Sequence, residues 1–215
     1  EGLALRELRK YPNIEAIELV DIDPAMTKLA RTFAPLKRLN QEAFDTLPVK
    51  TLHEDAFNYV RRGVSDPKDR FDLIIIDLPD PHHESLAKLY SVPFYTNLKQ
   101  LLAPKGLIAA QVGSPFFANR TFWGSIETLT ESGFAVRPYH VNVPSFGEWG
   151  FVLAARGGIP KRPLHAIRGR FISPEVDPTL FVFSADLKAR EPVQPTTLTR
   201  PRVVEYFNRD WRRWN

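Results

Sequence analysis

Two aspartates, Asp77 and Asp80, stand three residues apart at the end of a short apolar run. Residues 73–76 are all branched aliphatic, which is typical of a strand covered on both faces. Pro79 and Pro81 cannot donate a backbone N–H to a sheet and therefore force the chain out of it. Because open α/β sheets bind ligands at the carboxyl ends of their strands, the pattern predicts two acids that face a ligand. A polar turn with an Asx cap is the alternative.

Further acids follow two earlier apolar segments. Asp21 and Asp23 end the first segment, and Glu54 and Asp55 end the second. A carboxylate at such a position can accept hydrogen bonds from both hydroxyls of a ribose, which makes Asp21 a candidate ribose ligand. Asp23 precedes Pro24 and is predicted to cap a helix. Asp55 is predicted either to cap the next helix or to bind the exocyclic amine of an adenine.

Carboxylates that face one cleft repel each other unless a cation lies among them. The cation could be a metal ion or a cationic organic molecule, but no segment has the ligand spacing of a calcium-binding loop. His82 and His83 are adjacent, so their side chains point apart, and a solvated turn is the favoured interpretation. The sequence therefore predicts a polycationic substrate and no metal site.

The elements that must hold these acids alternate between strand and helix patterns, as in consecutive βα units. Strands are predicted at residues 16–22, 49–54, 72–78 and 106–112, and helices at 2–8, 24–33, 56–62 and 90–102. Residues 135–143 and 149–155 are joined by a turn without a helix and are predicted to pair in antiparallel fashion. The prediction is a doubly wound, mostly parallel α/β sheet with a C-terminal antiparallel strand pair, whose first strand is truncated.

The composition is that of an ordinary globular protein. With 215 residues, 43% of them hydrophobic, the chain can bury a full core. No run approaches the roughly 18 apolar residues of a membrane span, and no export signal opens the chain, which predicts a soluble segment. The sequence has no cysteine, so it excludes disulfides and thiolate sites and fits a reducing compartment.

Charge is unevenly distributed along the chain. The 29 basic and 25 acidic residues give a net charge of +4, but residues 1–155 have 17 basic and 19 acidic side chains, whereas residues 156–215 have 12 and 6. We therefore predict a domain at residues 1–156 and a Pro-rich basic appendage at residues 157–215, with a short strand at 180–183 and an amphipathic end at 203–214. Nucleic-acid binding is not predicted, because basic residues alternate with aromatic ones only at residues 211–214.

Five spaced blocks resemble those of the spermidine synthases, the polyamine aminopropyltransferases, over at least residues 1–156. Residues 1–8 (EGLALREL) resemble the end of the family's Gly-Gly-Gly-Asp-Gly turn, and residues 19–23 (LVDID) its ribose-binding strand end. Residues 54–57 (EDAF) resemble its adenine block, 77–81 (DLPDP) its catalytic Asp-Ser-x-Asp-Pro segment, and 144–151 (PSFGEWGF) its late Pro-Thr-Tyr loop. Residues 207–215 also resemble the end of bacterial members whose synthase domain follows a membrane region.

The resemblance implies a Rossmann-like fold of the methyltransferase type and an aminopropyltransferase. The donor would be decarboxylated S-adenosylmethionine, a co-substrate rather than a prosthetic group, and the acceptor a diamine such as putrescine, giving spermidine and methylthioadenosine. Asp77 would accept the proton of the attacking amine, and Asp80 would hold that amine. Phe146 stands where the family usually has a tyrosine beside the amine. The residues that the resemblance assigns to the donor are Glu1, Asp21, Ile22, Asp55 and Ala56.

The resemblance also implies a homodimer and a cytoplasmic location. The ending of the chain implies a membrane region before residue 1, which would place the domain at the cytoplasmic face of a membrane. Two other interpretations stay open. One is a methyltransferase that uses S-adenosylmethionine, although Glu1 and Asp77 would repel the carboxylate of an intact methionine moiety. The other is a domain that binds polyamines without turnover.

Overall fold

Strands and helices alternate along the chain as the sequence predicts, and they are divided between two compact units. The computed structural model describes residues 1–159 and 171–214. Unit 1 includes residues 1–59, and unit 2 includes residues 60–159 and 171–214 of the described chain. Each unit has its own β-sheet. The predicted division of the chain at residue 156 stays a prediction.

Unit 1 is built on two parallel strands, β1 (Ile17–Val20) and β2 (Val49–Leu52), which pair in register from Ile17 with Val49 to Val20 with Leu52. Its helices are α1 (Leu3–Leu8), α2 (Pro24–Thr32), α3 (Ala34–Leu39) and α4 (Ala43–Thr46). The sequence did not predict the two short helices α3 and α4. The core of the unit is a cluster of the buried residues Leu5, Ala30, Ala43 and Phe44.

The helix α5 (Ala56–Arg62) has the predicted bounds and contains the boundary between the two units. It begins directly after Asp55, whose Oδ1 accepts hydrogen bonds from the backbone N–H groups of Phe57 at 2.9 Å and Asn58 at 3.2 Å. These N–H groups lack intrahelical partners at the start of a helix, so the aspartate supplies the cap.

Unit 2 contains a four-stranded mixed sheet in the order β3-β4-β6-β5. The strands are β3 (Phe71–Ile76), β4 (Leu102–Gly113), β5 (Ala135–Val143) and β6 (Gly147–Ala155). β3 and β4 are parallel, and β6 is antiparallel to both β4 and β5. The predicted antiparallel pair is confirmed. The sequence did not predict that β6 would lie between β4 and β5.

The helices of unit 2 are α6 (Glu84–Ala87), α7 (Val92–Leu101), α8 (Asn119–Glu131) and α9 (Arg202–Trp211). Short 3₁₀ helices lie at Pro67–Asp69, Lys88–Tyr90 and Asp177–Phe181. The strand predicted at residues 180–183 is therefore wrong, and the amphipathic end is confirmed as α9. The sequence did not predict α8, although Phe122 and Leu129 of this helix are fully buried.

The strand β3 is less covered than the sequence predicts. Leu73 and Ile75 expose 47% and 46% of their surface, whereas Ile76 at the end of the strand is buried. In the described part of the chain β3 is the edge strand of its sheet, and Leu73 and Ile75, which are two residues apart, project from the same, less covered face. The prediction of a strand covered on both faces was wrong, but its end at Ile76, directly before Asp77, agrees with the predicted exit of the chain.

Candidate active site

The loop that follows β3 carries Asp77 and Asp80 and is fixed at two backbone carbonyl groups. The hydroxyl of Tyr90 donates to the carbonyl oxygen of Pro79 at 2.6 Å. The backbone N–H of His82 donates to the carbonyl oxygen of Asp80 at 2.8 Å. The two acids are thus held on an ordered turn, with the Asp77 side chain exposed and that of Asp80 half-buried.

Tyr90 is buried beside both acids, with only 4% of its surface exposed. Burial raises the pKa of its hydroxyl above the ordinary value of 10.0, and the neighbouring Tyr95, Asp80 and Asp77 raise it further. The phenol therefore stays protonated and remains a hydrogen-bond donor to the loop.

Burial also raises the pKa of the Asp80 carboxyl above its ordinary value of 3.8, while the charge of His82 partly opposes the shift. Withdrawal from water disfavours the ionised carboxylate unless a cation is placed beside it. An organic ammonium group at this position would compensate that cost. The raised pKa of Asp80 is compatible with the predicted role of this residue in binding an amine.

Asp80 and Phe146, two of the predicted substrate residues, line one cavity. We call it the aromatic cavity; it has a volume of about 550 Å³, and Pro144, Ser145 and Gly147 also line it. Phe146 and Trp149 pack together with ring centroids 5.5 Å apart. The remaining aromatic side chains of its wall are Phe117, Trp211 and Trp214. Aromatic faces around one carboxylate suit a ligand that combines an alkyl chain with a positive charge.

A second cavity, of about 460 Å³, also reaches Asp80. Its other lining residues are Phe207, Asn208, Trp211 and Arg212, all in or directly after helix α9. We call it the basic cavity because Arg212 lines it. Asp80 and Trp211 are the two residues that line both cavities.

The acids of unit 1 are placed by the β1–β2 pair. The backbone N–H of Asp21 donates to the carbonyl oxygen of Leu52 at 3.0 Å, which extends the strand pairing by one residue. Asp21 and Asp55 therefore follow neighbouring parallel strands at the same carboxyl edge. The Oδ1 of Asp21 accepts a hydrogen bond from the backbone N–H of Asp23 at 2.9 Å. Ile22 lies between them and is 70% exposed.

Two of the acids cap helices. Asp23 accepts from the backbone N–H of Ala25 at 2.8 Å and begins α2, as predicted. Asp55 caps α5, so the capping alternative for this residue is confirmed. Its contact with an adenine, together with that of Ala56, the first residue of α5, stays a prediction.

Glu1 leads into the left-handed Gly2 of unit 1. The carbonyl oxygen of Glu1 accepts a hydrogen bond from the side-chain amide of Asn40 at 3.1 Å. Asn40 itself is buried, with an exposed fraction of 1%. Gly2 has a φ of +89°, and a Cβ there would lie 2.7 Å from Phe44, so a side chain is excluded both by backbone conformation and by space. The Glu1 side chain is exposed at the start of α1.

Five aromatic residues that line the aromatic cavity or fix its loop were not recognised from the sequence as site residues: Tyr90, Phe117, Trp149, Trp211 and Trp214. Trp211 and Trp214 gave a signal in the alternation of aromatic and basic residues at 211–214, which is also found in nucleic-acid-binding segments. In the structure these rings pack on Phe117. The Trp211 ring stacks on it at 6.1 Å and 9°, and Trp214 Nε1 donates to its carbonyl oxygen at 3.1 Å.

Within residues 1–159 and 171–214, no group of three or more His, Asp or Glu side chains could hold a metal ion. None of the helices there has the length and apolar character that a membrane crossing requires.

Solved structures with the same fold are spermidine synthases. The enzyme from Thermotoga maritima superposes with a TM-score of 0.72 at 24% identity, over 85% of this chain and 62% of that chain. A spermidine synthase in complex with the transition-state analogue AdoDATO gives a TM-score of 0.71 at 23% identity, with the same coverage. These likenesses confirm the predicted Rossmann-like α/β fold.

Curated relatives are similar over nearly the whole chain. Polyamine aminopropyltransferase 1 of Streptomyces coelicolor is 44% identical over 99% of this chain, and a polyamine aminopropyltransferase of Mycobacterium tuberculosis is 41% identical over 98%. The chain spans only 40% of the length of each of these relatives. The model of the spermine/spermidine synthase domain matches residues 1–161. The chain therefore belongs to the spermine/spermidine synthase family.

Proposed function

We propose that the chain transfers the aminopropyl group of decarboxylated S-adenosylmethionine to a diamine such as putrescine, giving spermidine and methylthioadenosine. The observation that carries the proposal is the half-buried carboxylate of Asp80 on a cavity walled by aromatic rings. A diamine offers an ammonium group to this carboxylate and a methylene chain to the rings. The names of the curated relatives support the same reaction.

In this reaction the lone pair of the acceptor nitrogen forms a bond to the methylene carbon beside the sulfonium. The carbon–sulfur bond breaks, its electron pair stays on sulfur, and methylthioadenosine leaves as a neutral thioether. The attacking nitrogen must be unprotonated, although an alkylammonium has a pKa of about 10.4. Asp77 accepts the proton that the nitrogen loses, and Asp80 holds the amine in position by its charge. Phe146 contacts the methylene chain and offers no hydroxyl to the amine.

The donor is assigned to residues of unit 1. The carboxylate of Asp21, with Ile22 beside it, accepts the ribose hydroxyls, and Glu1 pairs with the ammonium of the aminopropyl group. Asp55 and the backbone of Ala56 recognise the adenine. In this proposal the donor is a co-substrate, and the enzyme uses neither a prosthetic group nor a metal ion.

Three further properties belong to the proposal: a homodimer, a cytoplasmic location, and a membrane region before residue 1. The first is tested by light scattering of the purified protein. The other two are tested by fractionating cells that express the full-length protein and by protease access from each side of the membrane.

The activity is tested by incubating the full-length protein with decarboxylated S-adenosylmethionine and a panel of diamines. We expect methylthioadenosine to be released only when an amine is added. Asp77→Asn should lower kcat by at least about 100-fold, which is a typical contribution of a general base. Asp72→Asn, which changes an exposed acid within β3, is the matched control and should retain activity.

The two alternatives predict different results. Methyl transfer from S-adenosylmethionine without methylthioadenosine release would favour the methyltransferase. Calorimetric binding of diamines without any turnover would favour a polyamine-binding domain. Either result would refute the proposed transfer.

A further inference from the structure

Trp211 occupies a special place in unit 2, because it lines both the aromatic cavity and the basic cavity. Asp80 is shared in the same way. The shared carboxylate means that an amine held by Asp80 could extend a chain into either cavity, and the shared indole means that the two cavities meet at the Trp211 ring.

The Trp211 ring packs against two other aromatic side chains. It stacks on Phe117 with an interplanar angle of 9°, and Phe207, one turn earlier in α9, lies 5.9 Å from it between ring centroids. Trp214 packs edge-on against the same Phe117 at 5.0 Å. A ring packed against two aromatic neighbours has little freedom to change its rotamer.

The backbone beside Trp211 is also fixed. The preceding residue, Asp210, is 3% exposed and accepts hydrogen bonds from Arg120 Nη1 at 2.7 Å and from the backbone N–H of Arg120 at 2.9 Å. Arg120 in turn is paired with Glu191. This charged, largely buried contact joins α9 to the start of α8 and fixes the backbone of α9 directly before Trp211.

The two cavities differ in the charge they offer to an amine. The aromatic cavity has the Asp80 carboxylate and five aromatic rings. The basic cavity is also lined by Arg212, whose positive charge repels an ammonium group. A triamine anchored at Asp80 has one more ammonium group to place than a diamine, and beyond Trp211 that group would lie in the cavity lined by Arg212.

We propose that Trp211 is a specificity-determining residue that separates the two cavities, and that with Arg212 it restricts the acceptor to short diamines. The inference rests on the proposed function, since it assigns the length of the acceptor at the same Asp80 site. Removal of the indole joins the cavities, and removal of the guanidinium charge admits a distal ammonium into the second one.

The test is a ratio: kcat/KM for spermidine as acceptor divided by kcat/KM for putrescine, measured on the full-length protein. We expect Trp211→Ala and Arg212→Gln each to raise this ratio about tenfold, equivalent to about 1.4 kcal/mol of discrimination. Trp211→Phe keeps a ring, and Arg213→Gln removes the same charge one residue later, so both should leave the ratio within about twofold. The ratio does not depend on the fraction of active protein, and Arg212→Gln tests the proposal if Trp211→Ala folds poorly.

Failure of the inference and failure of the proposed function can be told apart. Transfer to putrescine by the wild type, with ratios unchanged in both Trp211→Ala and Arg212→Gln, would overturn the role of Trp211 alone. Absence of transfer in every protein would refute the proposed function. In that case the dissociation constants of putrescine and spermidine, measured by calorimetry without donor, give the same ratio and decide the inference independently.

Discussion

The Asp80 carboxylate has an electrostatic cost in the protein without an amine. Burial raises its pKa, which means that the folded state favours the protonated acid more than the unfolded state does. Above the raised pKa the ionised form destabilises the fold, and below the unfolded value of 3.8 both states hold the proton and the effect disappears. The ionised carboxylate thus lowers the free energy of unfolding, and the same charge favours binding of a cation.

We therefore expect Asp80→Asn to raise the melting temperature at pH 7, by an amount on the order of 2 °C. The gain should shrink as the pH falls towards 3.8, since the wild-type carboxyl then becomes neutral as well. Thermal unfolding monitored by circular dichroism between pH 4 and 8 measures both effects. Asp72→Asn, at an exposed position in β3, is the control for removal of one negative charge. A lower melting temperature for Asp80→Asn at pH 7 would contradict this reasoning.

The helix α8 shows how two elements depend on one charged contact. Its first turn has no side-chain cap of its own, and the Asp210 carboxylate of α9 accepts from the N–H groups of Arg120 at 2.9 Å and Thr121 at 3.3 Å. A negative charge at a helix N-terminus satisfies donors that have no intrahelical partner and interacts favourably with the helix dipole. The cap of α8 therefore comes from 90 residues later in the chain.

Asp210→Asn should destabilise unit 2 by about 2 kcal/mol, because it removes one charge of a buried pair while Glu191 still partners Arg120. Urea unfolding of the wild type and variant gives this difference. The matched control is Glu205→Gln on the same helix, which breaks an exposed pair with Arg202 and should cost about 0.5 kcal/mol or less. Equal stability losses in the two variants would mean that Asp210 does not act as a buried cap.

The position of the capping residue in the sequence explains which helices could be predicted from the sequence. α2 was predicted because Asp23 and Pro24, its cap and first residue, are adjacent to its first turn. α8 was missed because its cap, Asp210, is remote in sequence. The strand predicted at 180–183 failed for a similar reason: its apolar side chains pack as a 3₁₀ helix, where Phe181 lies beneath the guanidinium of Arg137 at 3.6 Å.

The residues of the candidate site likewise differ in whether local sequence features could predict them. Asp77 and Asp80 could be identified because the end of β3 and the two prolines are local features of the sequence. The aromatic wall could not, because Phe117, Trp149 and Trp211 are far apart in sequence and meet only through the packing of α9 within unit 2. Sequence patterns thus predicted the charged groups and Phe146, but not the rest of the aromatic wall beside them.

At the scale of the whole molecule, the two units bury cores of different size. In unit 1 the buried hydrophobic cluster has four members, of which Phe44 is the largest. In unit 2 the buried set extends through α7, α8 and the four-stranded sheet, and includes Tyr95, Phe122, Leu129 and Val152. Because local stability follows the number of buried apolar contacts, the units should open with different free energies.

Hydrogen exchange measured by mass spectrometry should therefore show faster exchange in β1 and β2 than in β4 and β6, by at least about tenfold, or about 1.4 kcal/mol.

Phe44→Ala removes the largest ring of the small core, which Arg31 covers at 4.8 Å, and should destabilise unit 1 by about 3 kcal/mol. Phe44→Ala should therefore accelerate hydrogen exchange in β1 and β2 further. The control Tyr11→Ala, at a ring that is 52% exposed, should leave these rates unchanged. Equal protection of the two sheets in the wild type would contradict the link between core size and the stability of the units.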